Sequence, residues 1–552
     1  MKITINKIAF AISTMVVLFP ACDRGFADLN VNPNTVVTAD EGHLFANLTL
    51  SIFLERTNDR GLGPAFVDRW FQFGTAQAAD PRSTVTILPT NLLGIWDNTY
   101  GGSLGALTEL QRQIARRPAE EREQLNNLNA YLRILKAYQF HRLTDYFGDI
   151  PYFDALKGGD PAGTVLEPRY DTQRAIYEDI LNELTEAKSS LREAATQRDL
   201  SRYDLFFGGD VTKWKRFVNS LKLRIGMRFV KVDAEWARQI VQEALTDADG
   251  VMQNNSDALR QVFPAQGVSA QAGMGSLMAS ATMIDFLKSH KDPRLRLFYE
   301  MNEYSADVCS QLGIPYDPAK SRYIGAPASP DAANASNLFR IRNPAQHVYD
   351  TLSRVSRKLF NPRTVTAATL ASGSMDVLFS YAEVLFLKAE AAHRGWYTSQ
   401  TVASLYEQGI RASLAQWFEQ AAYLAPMILP NIGVVQDFSP VTEAETDEYL
   451  AMPDIAFNED KALEQIVIQS MLNNFNNTHL IWADWRRTGI PNQTTSYALA
   501  PYVAGGQPLE IPRRYPYSSS EEVHNPRVYE EKLASFPGGE DSPYLRVWWD
   551  TQ

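Results

Sequence analysis

Apolar side chains recur every three to four residues through much of this chain, the period of an amphipathic α-helix. Within residues 91–117, Leu93, Trp96, Tyr100, Leu104, Leu107, Leu110 and Ile114 fall on one stripe, and Pro118 stops it. Residues 120–147 set Leu125, Leu128, Leu132, Leu135 and Gln139 on one face and end at Gly148. Residues 171–194 carry Ile176, Ile180, Leu184, Ala187 and Leu191 on a stripe, with Asp171 read as the N-cap. Further helices are predicted over 211–232, 234–247, 376–395, 399–418, 457–476 and 479–488. Helix pairs repeating at roughly 35–45 residues predict a tetratricopeptide-like solenoid. Between the helices lie Gly-, Pro- and Ser-rich tracts at 148–170, 251–280, 302–375, 420–456 and 489–552. Loops that long carry function or small elements of their own. The predicted class is therefore all-α: helical repeats packed against a loop-rich, irregular layer.

The N-terminus breaks the pattern. Lys2 and Lys7 precede the apolar run "IAFAISTMVVLFP", which ends at Ala21-Cys22 before a polar stretch. A basic start and a short apolar run are the form of a secretory signal, too short to span a bilayer. A cysteine directly after such an edge resembles a bacterial lipobox, in which a diacylglycerol is joined to the cysteine sulfur. Phe19 stands where that motif usually has Leu or Val. The expected division is a signal peptide at 1–21 and a single domain at 22–552. In that domain the helical scaffold occupies about 42–250 and 376–490, and the loop-rich ligand-binding region about 251–375 and 420–456. The second cysteine, Cys309, has no free partner if Cys22 is acylated, so no disulfide is expected.

Composition narrows the role. The 552 residues are 45% hydrophobic and carry a net charge of −11, with 64 acids against 53 bases. That balance argues against nucleic acid, whose phosphates call for clustered Lys and Arg, and against an electrostatic hold on anionic lipid. No motif points to catalysis. "GGSLG" around Ser103 has the G-x-S-x-G spacing but lies inside a helical pattern, where a nucleophile elbow needs a strand before the Ser. Small residues there let a neighbouring helix come close. The seven histidines form no H-E-x-x-H and no close pair. "TDADGVMQNNSDA" at 246–258 lacks the carboxylate spacing of a calcium loop and reads as a turn, so calcium would be incidental and no cofactor is expected. A glycosidase pair among the many carboxylates is not singled out by any pattern.

Aromatic residues offer a binding reading. Trp70 and Phe73 lie in "DRWFQFGTAQAADP" next to a small-residue loop, and Trp96 and Tyr100 in "GIWDNTYGG". Flat rings make platforms for the C–H faces of sugars; the competing reading of each ring is hydrophobic core. Trp70 and Phe73 are the better platform candidates, and Trp96 and Tyr100 have core-like spacing.

Several segments together resemble the SusD/RagB family of nutrient-binding outer-membrane lipoproteins. They are "YLRILKAYQFHRLTDYFGDIPYFDAL" at 131–156, "FADLNVNPNTV" after Cys22, "WKRFVNSLKLRIGMRF" at 214–229, "IWADWRRTGIP" and "IPRRYPYSSSEEVHN", spread in order over nearly the whole chain. The resemblance implies a helical fold with tetratricopeptide-like repeats and a lipid anchor at Cys22 in the outer membrane, facing the cell surface. It implies capture of oligosaccharides, or of peptides in some members, for a TonB-dependent, SusC-like transporter, without cleavage. Trp96 is similar in placement to a family position near the ligand. The tract at 251–375, where family members place ligand loops, holds Tyr304, Tyr316 and Tyr323. The "DYFGDIPY" and "WADWRRTG" blocks read as structural, with Arg486 and Arg487 in buried ion pairs or partner contacts. The alternatives within reach are a peptide-binding member and a lipid-anchored glycosidase.

Overall fold

From Ala137 to Phe147 every side chain of one helix is buried, so this segment has neighbours on all sides rather than a solvent face. The computed structural model describes residues 40–62, 66–75, 89–159, 163–263, 277–328, 340–342, 348–360, 374–427, 436–475 and 477–551. The signal segment and Cys22 lie outside the described residues. We number the helices of eight residues or more. They are α1 (Glu41–Leu62), α2 (Gly105–Ala115), α3 (Asn126–Phe147), α4 (Gln173–Ser190), α5 (Val211–Arg228), α6 (Ala234–Thr246), α7 (Ala281–Ser289), α8 (Tyr381–His393), α9 (Val402–Leu424), α10 (Glu443–Leu450), α11 (Ala462–Asn473), α12 (Thr478–Thr488) and α13 (Pro526–Ala534).

The expected pairs are present. α3 packs on α4, α5 on α6 and α8 on α9, and α11 contacts both α8 and α9. α5, α6, α8 and α9 each open on a side-chain cap. Asp210 accepts from the Lys213 N–H to open α5, Asp233 from Trp236 to open α6, Ser380 from Glu383 to open α8 and Thr401 from Ser404 to open α9. One expected cap is corrected. Thr172, not Asp171, caps α4 by accepting from Ala175 N–H, while the Asp171 carboxylate accepts the N–H groups of Tyr152 and Phe153 at 3.0 and 2.8 Å. Asp171 is engaged in the short antiparallel pairing of Ile150–Pro151 with Tyr170–Asp171, one residue too early to cap the helix.

The blocks read as structural act inside the fold, through charge. Arg224 of α5 makes a two-pronged pair with Glu383 of α8 at 2.6 and 2.8 Å, its guanidinium 3.5 Å from the Phe379 ring centre. Arg228 meets Asp145 at 3.1 Å and Asp484 at 3.4 Å. Arg487 pairs with Glu390 and Asp484. Arg486 donates to the Asp145 carbonyl at 2.8 Å and lies between the rings of Trp482 and Trp549. Burying ions is costly unless each is paired, and these pairings join α3, α5, α8 and α12. Gly148 ends α3 at φ +80°, where a Cβ would meet Val547 at 3.4 Å. The "TDADG" turn is closed by Asn219, which donates to Asp247 and to the Gly250 carbonyl at 3.0 and 2.8 Å.

The tracts read as irregular, and the segments beside the predicted helices, hold small elements. Short antiparallel strands at Gly74–Thr75, Met278–Ala279, Arg354–Val355 and Tyr299–Glu300 make one four-stranded sheet in that order. Ser374–Phe379 is a strand paired with Leu259–Phe263, so the helix expected over 376–395 begins only at Tyr381. α7, α10 and α13 also fall in or beside these tracts. Among the described residues no helix is long and apolar enough to cross a membrane.

Candidate functional site

The stretch from Leu93 to Ala115 is one helix with a widened turn, because Asn98–Leu104 adopts π-helical geometry. Such widened turns recur at functional sites. On one side the turn admits α1. Ser103 donates its N–H and its hydroxyl to the two oxygens of Glu55, each at 2.7 Å, and Gln139 donates to Glu55 and to the Ser103 hydroxyl, each at 2.6 Å. A Cβ on Gly102 would lie 2.9 Å from Glu55 Oε1. Ser103 is thus locked in a buried polar cluster, with its hydroxyl already donated; the small residues serve close approach.

On the other side Trp96 and Tyr100 line a cleft of about 510 Å³ with Asp97, Leu166, Glu521, His524, Asn525 and parts of the 151–168 loop. Trp96 forms its floor. The ring sits edge-to-face on Phe147 at 4.8 Å and on Tyr517 at 5.8 Å, and tilts against Tyr100 at 5.0 Å. The indole N–H donates to Glu521 Oε1 at 3.0 Å. The other oxygen of Glu521 accepts from the Tyr170 hydroxyl at 2.6 Å and from Asn525 at 3.3 Å. Tyr100 donates its hydroxyl to the Pro151 carbonyl at 2.7 Å, and Ser520 donates to Asp97 at 2.6 Å. Burial, then the charge of Glu521, raises the Tyr100 and Tyr170 hydroxyls well above the ordinary tyrosine range, so both remain donors. Asn525 Oδ1 is buried without a hydrogen-bond partner. The rim is Leu166, 75% exposed, with His524 exposed and Tyr100 half-buried. Two carboxylates and no Lys or Arg line the space, which disfavours an anion and suits a neutral, hydroxyl-rich ligand with an apolar face.

The aromatic candidates separate on burial. Trp70 and Phe73 are core, not platforms. Trp70 packs 5.6 Å from Trp482, and Phe73 stacks on Phe475 at 4.9 Å and 10°. Phe73 leads directly into the Gly74–Thr75 strand, and Gln72 between them is bonded to the Ala500 backbone through both ends of its amide. That pins the segment inward. Tyr304 and Tyr316 stack on each other at 5.7 Å and 22°. Tyr304 donates to the Pro315 carbonyl and accepts from Asp317 N–H, at 3.2 and 2.9 Å, so the pair is held in place with Tyr316 40% exposed. Tyr323 is half-buried against the main core, and burial pushes its hydroxyl up to about 12. None of these three tyrosines lines the Trp96 cleft. Glu521, Tyr170, Leu166 and Asn525 were not foreseen. Glu521 is 425 residues from Trp96 along the chain, and no local pattern signals that meeting.

The family model described as "Starch-binding associating with outer membrane" (SusD-like) matches residues 33–518. Solved structures match over nearly the full length. A chitin-binding protein is 22% identical, with a TM-score of 0.72, covering 93% of this chain and 100% of its own. A chitin-binding SusD homolog from Flavobacterium johnsoniae is 24% identical, TM-score 0.64, over 92% and 99%. A SusD homolog from Bacteroides fragilis is 21% identical, TM-score 0.66, over 93% and 100%. At these identities the likeness shows the fold. No curated protein sequence matches the chain.

Proposed function

The chain belongs to the SusD-like family, and from that premise we propose that it is a surface lipoprotein that captures a neutral oligosaccharide and hands it, uncleaved, to a TonB-dependent outer-membrane transporter. The observation that carries the proposal is the family match over residues 33–518. The Trp96 cleft supports the ligand class: aromatic rings, an exposed leucine and two carboxylates line it, with no Lys or Arg. A few ring contacts at about 0.5–1.5 kcal/mol each, with hydrogen bonds that largely replace those to water, give affinities of about micromolar to millimolar. Capture of that strength allows release to a transporter. Glu521 holds three donors, an arrangement for orienting side chains rather than for passing a proton. The reading requires no cofactor. Tyr316 is a second platform candidate, on its own loop.

Titration of the purified chain with maltotetraose and chitotetraose, followed by a wider glycan array, tests this. Chitin sugars are included because two of the similar structures are described as chitin-binding. Saturable binding with the sugar recovered intact is expected. Leu166→Asp, at an exposed rim position, should weaken binding about tenfold, or 1.4 kcal/mol, without moving Tm. Sugar cleavage by the pure chain, or binding of peptides and no glycan, would overturn the proposal.

A further inference from the structure

One face of α3 carries Asn129, Arg133, Lys136 and Phe140, spaced four, three and four apart. Across from it stand Asp179 and Glu183 of α4, Gln111 of α2, and Tyr152 and Phe153 of the loop after α3. Together they enclose a groove of about 400 Å³ that shares no residue with the Trp96 cleft. Its polar groups fall into two sets. One set is committed. Arg133 grips both oxygens of Glu183 at 2.8 and 3.0 Å and also reaches Glu186 at 2.7 Å, while Tyr152 donates to Asp179 Oδ2 at 2.7 Å. The other set is open. Among the described residues, the Lys136 ammonium and the side-chain amides of Asn129 and Gln111 have no hydrogen-bond or ion-pair partner, and Asp179 keeps Oδ1 free. At the mouth stands Phe153, 45% exposed, in an edge-to-face contact with Tyr152 at 5.0 Å.

The charges lining the groove balance: Arg133 and Lys136 against Asp179 and Glu183. An anion would meet the two carboxylates, and a cation would meet Lys136. A sugar hydroxyl both donates and accepts, so neighbouring hydroxyls can take a hydrogen bond from Lys136 or an amide and give one to Asp179. Bonds to charged partners are the stronger kind. An exposed phenyl face beside them suits the apolar face of the same ring. The volume lies within the range of small-molecule sites. Burial lowers the Lys136 ammonium below the ordinary lysine range, which makes it a reactive amine to follow.

We propose that this groove is a second sugar subsite, taking one neutral sugar ring on Phe153 with its hydroxyls bonded to Lys136, Asp179, Asn129 and Gln111. The proposal borrows its ligand class from the glycan-binding reading but not its site. The test is acetylation of the full chain with acetic anhydride, followed at Lys136 by mass spectrometry, with maltotetraose or chitotetraose present or absent. At sugar about ten times above Kd, labelling should slow about tenfold by mass action. The protection should persist in Leu166→Asp and be lost in Phe153→Ala, an exposed position whose truncation leaves the core intact. Unchanged labelling of Lys136 with both sugars, loss of protection in Leu166→Asp, or equal protection by tetra-alanine would each overturn the subsite. Protection at Lys136 with a silent Trp96 cleft would leave the subsite standing and remove the cleft instead.

Discussion

His141 sits on α3 with its Nε2 3.8 Å from Asp145 and its Nδ1 buried without a partner. Burial pushes it down to about 3, and the charges of Arg228, Arg224 and Arg142 add to that against the pull of Asp145. The folded chain therefore holds it neutral, whereas the unfolded chain protonates it near 6.5. Folding then loses stability as pH falls through 6.5 toward 3, because the unfolded state takes up a proton that the native state refuses. The slope for one group is at most about 1.4 kcal/mol per pH unit. Asp145 adds to the loss at the acid end: burial opposes it, yet the charges of Arg228 and Arg486 hold it at about 2 against 3.8 when free. Glu55, raised by burial, works in the opposite direction, so a single stability curve would blend the effects. Comparing wild type with His141→Gln separates them. Denaturant unfolding at a series of pH values should show the variant losing less stability between pH 6.5 and 4. Parallel curves would mean that His141 is protonated in the fold.

At the scale of elements, α8 and α9 approach closely because Gly409 leaves room: a Cβ there would stand 2.5 Å from Phe386 Cε1. Phe386 is itself buried, so the ring has little space to yield. Gly409→Ala should cost about 1–3 kcal/mol through overpacking, against a gain of about 1 kcal/mol from helix propensity. A thermal melt showing a rise in Tm would refute the tight crossing. The sequence already showed these helices, since periodicity reports which face is apolar, and for α3 it named the stripe from Leu128 to Gln139 correctly, though the helix expected over 120–147 breaks at Leu125. It could not show that the rest of α3 is buried too, which depends on α4, α5 and α12 closing around it. α7, α10 and α13 were hidden because they are short and lie among turn residues. The site was legible in outline only. Trp96 and Tyr100 were read from a local motif, but whether a ring faces solvent is decided by partners far along the chain. Trp482 and Phe475 bury Trp70 and Phe73, and Glu521 fixes Trp96.

For the whole molecule, the charge of −11 bears on how the body stays at a membrane. An acidic surface is repelled by anionic headgroups, and the described residues offer no spanning helix. Attachment would then rest on the lipid expected at Cys22. Each buried methylene is worth about 0.8 kcal/mol, and two or more chains hold firmly where one does not. Cys22→Ala removes the only cysteine before Cys309 and changes none of the described residues. The variant should leave the membrane fraction for the soluble one at low and high salt alike, with glycan binding intact. Wild type should stay with membranes through a high-salt wash, since hydrocarbon burial is not screened by ions. A variant that still pellets at low salt and is released by high salt would place the attachment on surface charge. One that pellets under both conditions would place it on a protein or apolar contact, and either outcome would remove the lipid from the account.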